Sequence, residues 1–365
     1  MKEFFKVDNV TFSPNQKYLI KNVSFKIFNK GDIISLLGPS GVGKTTILRT
    51  IAGLDRLIDG EIWLDKKLIS SKNLNIQPEK RDVSLTFQNN CLFPHMSLEQ
   101  NIMISKEDEL DVSEVNNLIK NFYLNDIINK FPHEVSSGEA QRAALIRSIV
   151  SNPKLLLLDE PFSNLNKGLR EELQVILKQI LKKKKITSII VTHDYDEAFY
   201  FGDMCGVLIN QKMIQFSEPY KIYHHPNSPE IANFFNKGEF IEAKIISKNE
   251  LFHEKLGVIK GKVDPKFKNG AIVKLLIQAE DLIHSDKSDL EFKIIDKRFV
   301  GTNFIYTLDI SNKERVHVLR LQETEGKPEG GRCHSPAATQ RHPDERTLCE
   351  ESLGRRPNGQ RGHLQ

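Results

Sequence analysis

The 365-residue sequence predicts an α/β domain with a largely parallel sheet, followed by a small all-β domain. Up to about residue 236, short apolar runs that end in polar residues alternate with helical patterns, as in a parallel α/β sheet. The first buried run is followed by a glycine-rich loop. Beyond residue 236 the chain instead carries short runs of alternating apolar and polar residues, which are typical of half-buried antiparallel strands.

The first domain begins with two strands, predicted within residues 4–28 around a polar turn at 13–16. Residues 32–37 (DIISLL) predict a buried strand, and residues 46–51 begin a helical pattern. The loop between them consists of Gly38, Pro39, Ser40, Gly41, Val42, Gly43, Lys44, Thr45 and Thr46. Strand, glycine loop and helix in this order predict a P-loop nucleotide-binding fold.

This loop fits the pattern G-x-x-x-x-G-K-[ST], which binds the phosphates of a nucleoside triphosphate. Its glycines let backbone N–H groups turn toward an anion at a helix N-terminus. Lys44 is predicted to reach the β- and γ-phosphates, and the Thr45 hydroxyl is predicted to ligate Mg²⁺. We therefore expect all nine loop residues to form the nucleotide site.

Two carboxylates follow a second buried strand. Four leucines at 155–158 predict a strand that is buried on both faces, and Asp159 and Glu160 come directly after it. Asp159 is predicted to hold Mg²⁺ together with Thr45. Glu160 is predicted to orient and polarise the attacking water, because phosphoryl transfer depends mostly on positioning and electrostatics.

The other elements of the first domain are predicted from the same periodicities. They are strands at 61–64, 83–87 and 186–191, a helical subdomain at about 90–150 and a helix at 167–184. His193 follows the strand at 186–191, as the carboxylates follow theirs. The sequence therefore places several polar residues at the ends of strands.

Over about residues 2–321 the chain resembles the ATP-binding cassette family, the motor subunits of ABC transporters. Residues 135–142 (VSSGEAQR) resemble the signature loop and residues 163–166 (SNLN) the D-loop. Gln88 is similar to the Q-loop glutamine and His193 to the switch histidine. The resemblance implies that the nucleotide is ATP, that Gln88 contacts Mg²⁺ and the attacking water, and that His193 contacts the γ-phosphate.

The resemblance further implies a head-to-tail homodimer that sandwiches two ATP molecules. Ser136 and Gly138 would then donate hydrogen bonds to the γ-phosphate bound by the opposite subunit. Two residues depart from the family pattern. Ser137 replaces a glycine and is expected to crowd the phosphate or to require a backbone angle that serine disfavours. Asn166 replaces the usual D-loop aspartate, which bears on the contact between subunits.

The aromatic residue that stacks on adenine is predicted to be Phe12, with Tyr18 as the second choice. Residues 78–83 and 92–97 are similar to those of importers for ions and small solutes. Residues 222–226 and the C-terminal β-domain resemble importers that carry an OB-like regulatory TOBE domain. That branch imports iron(III), polyamines, sulfate, molybdate, sugars or thiamine.

We therefore predict an ATPase subunit that powers uptake of a small solute, iron(III) first and a polyamine next. The expected partners are a second copy, an integral membrane permease and a periplasmic or surface solute-binding protein, without nucleic acid. The expected location is the cytoplasmic face of the inner membrane, as a peripheral protein. The alternatives are a soluble ABC ATPase outside transport and a non-hydrolysing regulatory module.

Composition sets the remaining limits. The net charge of +4 is too small to argue for nucleic acid binding, and no apolar run reaches the roughly 18 residues that cross a bilayer. Residues 1–322 contain 36 Lys and 9 Arg, whereas residues 323–365 contain 1 Lys, 6 Arg and neither Ile nor Phe. The predicted domains are 1–236 and 237–322, followed by a disordered or frameshifted tail at 323–365.

Overall fold

The computed structural model describes residues 3–13, 19–87, 91–105, 111–235, 238–261, 263, 265–282, 290–300, 303–311, 314–321 and 348–349. By the density of internal contacts the chain falls into two compact units, Met1–Ile222 and Tyr223–Gln365. This division comes earlier in the chain than the boundary predicted at 236/237. The domain limits drawn from the sequence stay a prediction.

The first unit alternates strands and helices along the chain. In order they are β1 (Phe5–Phe12), β2 (Ile20–Ile27), β3 (Ile33–Leu37), α1 (Lys44–Ala52), β4 (Asp59–Leu64), β5 (Lys67–Ser71), β6 (Val83–Thr86), α2 (Leu98–Met103), α3 (Val112–Asn121), α4 (Ser137–Val150), β7 (Leu155–Asp159), α5 (Lys167–Lys184), β8 (Thr187–Thr192), α6 (Tyr195–Phe201), β9 (Met204–Ile209) and β10 (Lys212–Ser217). The predicted strands and the helix at 167–184 correspond to β4, β6, β7, β8 and α5.

A six-stranded sheet runs through the first unit in the order β10-β9-β3-β8-β7-β6. Every neighbouring pair is parallel except β9 and β10, so the prediction of a largely parallel sheet is confirmed. All residues of β3, β7 and β8 are buried. Full burial explains their continuous apolar sequences, because helices and a second sheet cover both faces of such strands.

A second, antiparallel sheet has the strand order β2-β1-β4-β5. Its apolar side chains share one core cluster with α1 and with β3 and β7. The helices α2, α3 and α4 lie within the segment predicted as helical, and their apolar faces form another cluster with β7 and α5. Helix α5 contributes Leu173, Leu177 and Leu181, which recur every four residues and are fully buried.

Arg81 caps the C-terminus of α1, the helix that follows the glycine loop. Its guanidinium is buried and donates to the carbonyls of Thr50 (3.2 Å) and Ile51 (2.8 Å), in the last turn of α1. It also donates to Asn75 Oδ1 at 2.6 Å. These contacts satisfy helix carbonyls that have no partner inside the helix. Burial lowers the pKa of Arg81 to about 10.

Helix α7 (Pro219–His224) spans the division between the units, and the second unit continues with α8 (Pro229–Phe234) and strands. The strands are β11 (Gly238–Ser247), β12 (Glu250–His253), β13 (Gly257–Lys260), β14 (Ile272–Gln278), β15 (Lys293–Val300), β16 (Asn303–Ser311), β17 (Glu314–Leu321) and β18 (Leu348–Cys349). They form antiparallel sheets in the orders β13-β12-β11-β14-β18 and β15-β16-β17. One apolar cluster joins the two sheets, which confirms a small β-rich region after the α/β fold. Its TOBE identity stays a prediction.

The predicted tail is described at β18, where Leu348 and Cys349 pair with Leu275 and Lys274 of β14. The remaining residues of 323–365 lie outside the described residues, so the prediction for this segment stays open. Within the described part of the chain, no helix is both long and apolar enough to cross a bilayer.

Candidate nucleotide site

The glycine-rich loop joins β3 to α1, as predicted. Gly41 and Gly43 have φ angles of 79° and 105°, which residues with a Cβ atom rarely adopt. A Cβ atom on Gly43 would lie 2.0 Å from Ile20 Cδ1, and one on Gly38 would lie 2.4 Å from the carbonyl oxygen of Leu208. The glycines are therefore needed for both the turn and the close packing around it.

The loop is anchored at its ends and open at its tip. Pro39, Ser40 and Gly41 are exposed, whereas Val42 is buried in the core beside α1. Gly43 occupies the N-cap position of α1 without a side-chain cap. The first N–H groups of this helix consequently face the loop, where an anion is stabilised by the helix dipole.

Lys44 is the first residue of α1 and is 5% exposed. Its Nζ donates to the carbonyl oxygens of Gly38 at 2.6 Å and Pro39 at 3.1 Å, so the ammonium lies inside the loop. Burial lowers the pKa of Lys44, while the charges of Glu160 and Asp159 oppose the shift. The loop, its lysine and both carboxylates therefore belong to one electrostatic site.

The carboxyl ends of three neighbouring strands lie at one edge of the sheet. Leu37 of β3 pairs with Thr192 of β8, and Asp159 of β7 pairs with Val191. The glycine loop, Glu160 and His193 follow these ends directly, and Asp159 is the last residue of β7. In open parallel sheets ligands bind at this edge, since successive connections start from it.

Asp159 and Thr45 supply the oxygen atoms expected for a magnesium site. The Asp159 carboxylate is 4% exposed and accepts a hydrogen bond from the Thr45 side chain. Burial raises the pKa of Asp159, and the hydrogen bond from Thr45 opposes this shift. A hydroxyl paired with a buried carboxylate fits Mg²⁺, which prefers oxygen ligands and compensates the carboxylate charge.

Glu160 and His193 contact each other. His193 Nδ1 lies 3.1 Å from Glu160 Oε1, and the side chains are 57% and 15% exposed respectively. Glu160 has a φ of 48°, a left-handed conformation that is unfavourable for a residue with a side chain. Its N–H donates to the carbonyl oxygen of Val191 at 2.9 Å, which ties the turn to β8.

The predicted signature loop forms the N-terminus of α4. Ser136 is the N-cap: its hydroxyl accepts from the N–H of Glu139, and the Glu139 carboxylate accepts from the N–H of Ser136 at 2.7 Å. The hydrogen bonds from Ser136 lower the pKa of Glu139. This capping box fixes the helix start and leaves Ser136 and Ser137 exposed.

The two departures from the family pattern have ordinary local structures. Ser137 is the first residue of α4 and is absent from the described residues that have positive φ, so the expected conflict with its backbone angle is wrong. Asn166 is the N-cap of α5 and accepts from the N–H of Leu169 at 3.0 Å. Asparagine and aspartate cap helices almost equally well, which explains why this substitution keeps the fold.

The position of Phe12 contradicts its predicted role as the aromatic residue that stacks on adenine. Phe12 closes β1, has no exposed surface and belongs to the core cluster beside β2. An adenine ring cannot stack on it there, and the Phe12 prediction is therefore wrong. Its place in an alternating strand, with Val10 also buried, is the signal that favours a core residue. The second choice, Tyr18, lies outside the described residues, as does Gln88.

Sequence reasoning missed the side chains that support the strand ends. Gln141 of α4, which is 5% exposed, donates to the carbonyl oxygen of Glu160 at 3.0 Å. Arg170 of α5 donates to the carbonyl oxygen of Leu165 at 3.2 Å and lies 3.5 Å from the Asp194 carboxylate. Position within the signature motif was the available signal for Gln141; nothing in the sequence pairs Arg170 with Asp194.

A buried carboxyl group lies behind His193. The Thr192 hydroxyl donates to Glu197 Oε2 at 2.7 Å and accepts from the N–H of Asp194 at 3.0 Å. Glu197 is 6% exposed, and burial raises its pKa to about 7. The segment that carries His193 is therefore supported by a carboxyl group that titrates near neutral pH.

Comparison with known families agrees with this site. The family described as ABC transporter matches residues 20–163, which include the glycine loop, the start of α4 and Glu160. A dimeric, post-hydrolysis ATP-binding cassette solved with ADP and Pi superposes with a TM-score of 0.51 at 26% identity. That match covers 59% of this chain and 98% of the solved one.

Curated relatives are similar over more of the chain. An Fe(3+) ions import ATP-binding protein of Haemophilus influenzae is 35% identical over 251 residues, covering 67% of this chain and 69% of the relative. A spermidine/putrescine import ATP-binding protein of Nitrosospira multiformis is 35% identical over 337 residues, covering 88% and 92%. A glucose import ATP-binding protein of Saccharolobus solfataricus is 35% identical over 253 residues, covering 63% and 70%.

Proposed function

Because this chain belongs to the family of ATP-binding subunits of ABC importers, we propose that it hydrolyses ATP to power uptake of a small solute through a partner permease. Members of this family are ATPases coupled to transport. The observation that carries the proposal is the meeting of Lys44, Asp159, Glu160 and His193 at one edge of the sheet. Phosphate binding, a metal ligand and a base for water are thus available in one site.

In the proposed mechanism the loop from Gly38 to Thr46 binds the triphosphate through its N–H groups and the Lys44 ammonium. Thr45 and Asp159 would hold Mg²⁺, which neutralises phosphate charge when bound, and Gln88 is proposed as a further ligand. Glu160 accepts a proton from the attacking water. His193, hydrogen-bonded to Glu160, keeps this carboxylate oriented and contacts the γ-phosphate.

We further propose that two copies bind ATP between them. Ser136, the N-cap of α4, is exposed. Gly138 packs closely against residues 164 and 165. A partner's γ-phosphate could reach the N–H groups of this helix end, where negative charge is favourable. The dimeric cassette with ADP and Pi is a solved relative that supports this assembly.

An exposed loop is the proposed contact with the permease. Phe93 is 42% exposed, whereas the neighbouring Leu92 is half-buried against the core of the helical segment. Asn101, fully buried, accepts from the N–H of Phe93 at 2.7 Å and donates to its carbonyl oxygen at 3.1 Å. A rigid loop that displays an aromatic ring is suited to anchoring a short helix of a partner.

Iron(III) is the solute that we propose first, and a polyamine is the second candidate. The iron-type and polyamine-type relatives support these choices with equal identity, and the polyamine-type relative matches over a longer stretch. In such complexes the solute is selected by the permease and a solute-binding protein. We accordingly propose a peripheral location at the cytoplasmic face of the membrane, beside those partners.

The test uses the complex purified gently from native membranes, with its co-purifying proteins identified. Reconstituted vesicles should take up radiolabelled iron(III) or putrescine only with MgATP, and the transported ion identifies the solute. Phe93→Asp should leave ATP binding intact but reduce uptake and recovery of the permease at least about tenfold, since it places a charge in an apolar anchor.

The control is Val175→Asp, an equally exposed apolar residue on α5 (43% exposed), which should behave as wild type. Unchanged uptake in Phe93→Asp would reject the proposed contact. Recovery of the chain alone or with nucleic acid, without a permease, would reject the importer and favour a soluble ABC ATPase.

A further inference from the structure

The carbonyl group of Glu160 accepts hydrogen bonds from two donors, the nearby N–H of Ser163 at 3.3 Å and a side chain from another element. The next residue, Pro161, has no N–H, and the ladder between β7 and β8 ends with the N–H of Glu160 bonded to Val191. Gln141 Nε2 lies 3.0 Å from this carbonyl oxygen. The shorter of the two hydrogen bonds therefore comes from α4, the helix that begins with the signature loop.

The orientation of the Gln141 amide is determined by its partners. A carbonyl oxygen only accepts, so the nitrogen of the side chain must face Glu160. The N–H of Asn164 only donates and lies 3.3 Å from Gln141 Oε1. Gln141 Nε2 is also 3.4 Å from Ser163 Oγ. In this orientation one amide bonds both to the turn after β7 and to the D-loop. A flipped amide would place its oxygen against the Glu160 carbonyl oxygen and its NH₂ group against the N–H of Asn164, and would lose both bonds.

This contact acts at a strained position. Glu160 adopts a φ of 48°, and a left-handed conformation is unfavourable for a residue with a side chain. Such a conformation persists only when surrounding contacts hold it. In this backbone conformation the carboxylate of Glu160 lies 3.1 Å from His193 Nδ1.

Gly138 makes the same helix a close neighbour of the D-loop. A Cβ atom there would lie 2.9 Å from Leu165 Cδ2 and 3.1 Å from the carbonyl oxygen of Asn164. Gly138 and Gln141 lie on consecutive turns of α4. The helix start, the D-loop and Glu160 are therefore connected through direct contacts within one subunit.

We propose that Gln141 is a positioning residue for ATP hydrolysis, whose side-chain amide orients the peptide that carries Glu160 and links it to the D-loop and α4. The inference rests on the proposed function, because it assigns Glu160 to proton transfer from water. It adds a route by which the start of α4 affects hydrolysis in its own subunit.

The experiment compares MgATP turnover of the full-length wild type with Gln141→Glu and Gln141→Met. The glutamate variant keeps an acceptor for Asn164 but cannot donate to Glu160 when ionised, and methionine keeps the volume without either bond. We expect kcat to fall about 10- to 100-fold in both, since small displacements of a reacting group have effects of this size. The KM for ATP should stay within about threefold.

The matched control is Ser148→Ala, a buried residue of the same helix whose hydroxyl donates to the local carbonyl of Leu145 at 2.7 Å. It should retain wild-type kcat. A second measurement adds Gln141→Glu to Glu160→Gln. If Gln141 acts through Glu160, the double variant should hydrolyse no more slowly than Glu160→Gln alone.

A wild-type kcat in both Gln141 variants, or an equal further loss in the double variant, would overturn the inference and leave the proposed function intact. If kcat, ATP affinity and thermal stability all fell together in the Gln141 variants, Gln141 would be assigned to folding. That result would also overturn the inference. Absence of MgATP hydrolysis by the wild type would instead overturn the proposed function.

Discussion

The glycine loop and the turn at Asp159–Glu160 both contain residues with a left-handed backbone, but the residue types that adopt it differ. Each follows a fully buried strand of the same sheet, and each requires a left-handed backbone. In the loop the positive φ angles belong to Gly41 and Gly43, for which they cost little. In the turn the positive φ belongs to Glu160, whose side chain is the proposed base for water.

This difference shows which residues hold each of the two backbone conformations in place. The loop depends mostly on its own residues, with Lys44 bonded to the carbonyls of Gly38 and Pro39. The turn depends on distant side chains, because Gln141 and His193 come from other elements. Binding of phosphate and activation of water should therefore respond separately to substitution.

The largest expected effect is that of Glu160→Gln. This change keeps the size of the side chain and removes the proposed base, so kcat should fall at least about 100-fold. ATP affinity should stay within about threefold, since the glycine loop is unchanged. Turnover of MgATP and titration with a fluorescent ATP analogue measure the two quantities, with Glu171→Gln, an exposed acid on α5, as control. A matching loss of affinity would show that turn and loop are not separable.

The next prediction concerns the buried support of His193. The pKa of Glu197 is about 7 in the folded chain against an ordinary value of 4.5. The folded state therefore keeps a proton that the unfolded chain releases, and stability is lost as pH rises from 4.5 to 7. Between about pH 5 and pH 8 the wild type should lose about 2–3 kcal/mol more free energy of unfolding than Glu197→Gln.

Urea unfolding of both proteins across this pH range measures the difference. Asp194, Arg170 and His193 also act on Glu197, and these side chains are present in both proteins. Parallel pH dependences for wild type and variant would contradict the assignment of this transition to Glu197.

The smallest effect tests the loop itself. Gly43→Ala and Gly41→Ala both place a Cβ atom at positive φ, but the first meets Ile20 at 2.0 Å while the second enters open space. Gly43→Ala should therefore reduce the free energy of unfolding by about 1–2 kcal/mol more than Gly41→Ala does. Adding Ile20→Val, which removes the overlapping methyl group, should recover part of the difference; no recovery would mean that φ alone causes the loss.

Much of the site could be predicted because its residues follow continuous apolar runs. Four leucines before Asp159, and the β-branched run before His193, indicate buried parallel strands whose ends share one edge. Phe12 shows the limit of this reasoning. An aromatic residue at the end of a strand is compatible with a ligand or with the core, and its burial depends on the sheet that packs over it.

Sequence by itself determined the glycine loop, the parallel strands and the residues proposed to bear the chemistry, because motif spacing and apolar periodicity are local properties of the chain. Tertiary structure decided that Glu160 is strained, that Gln141 of α4 supplies a side-chain donor to its carbonyl oxygen and that Glu197 is buried behind His193. These features arise from contacts between residues far apart in sequence, whose distances and burial are set only when the helices pack against the sheet.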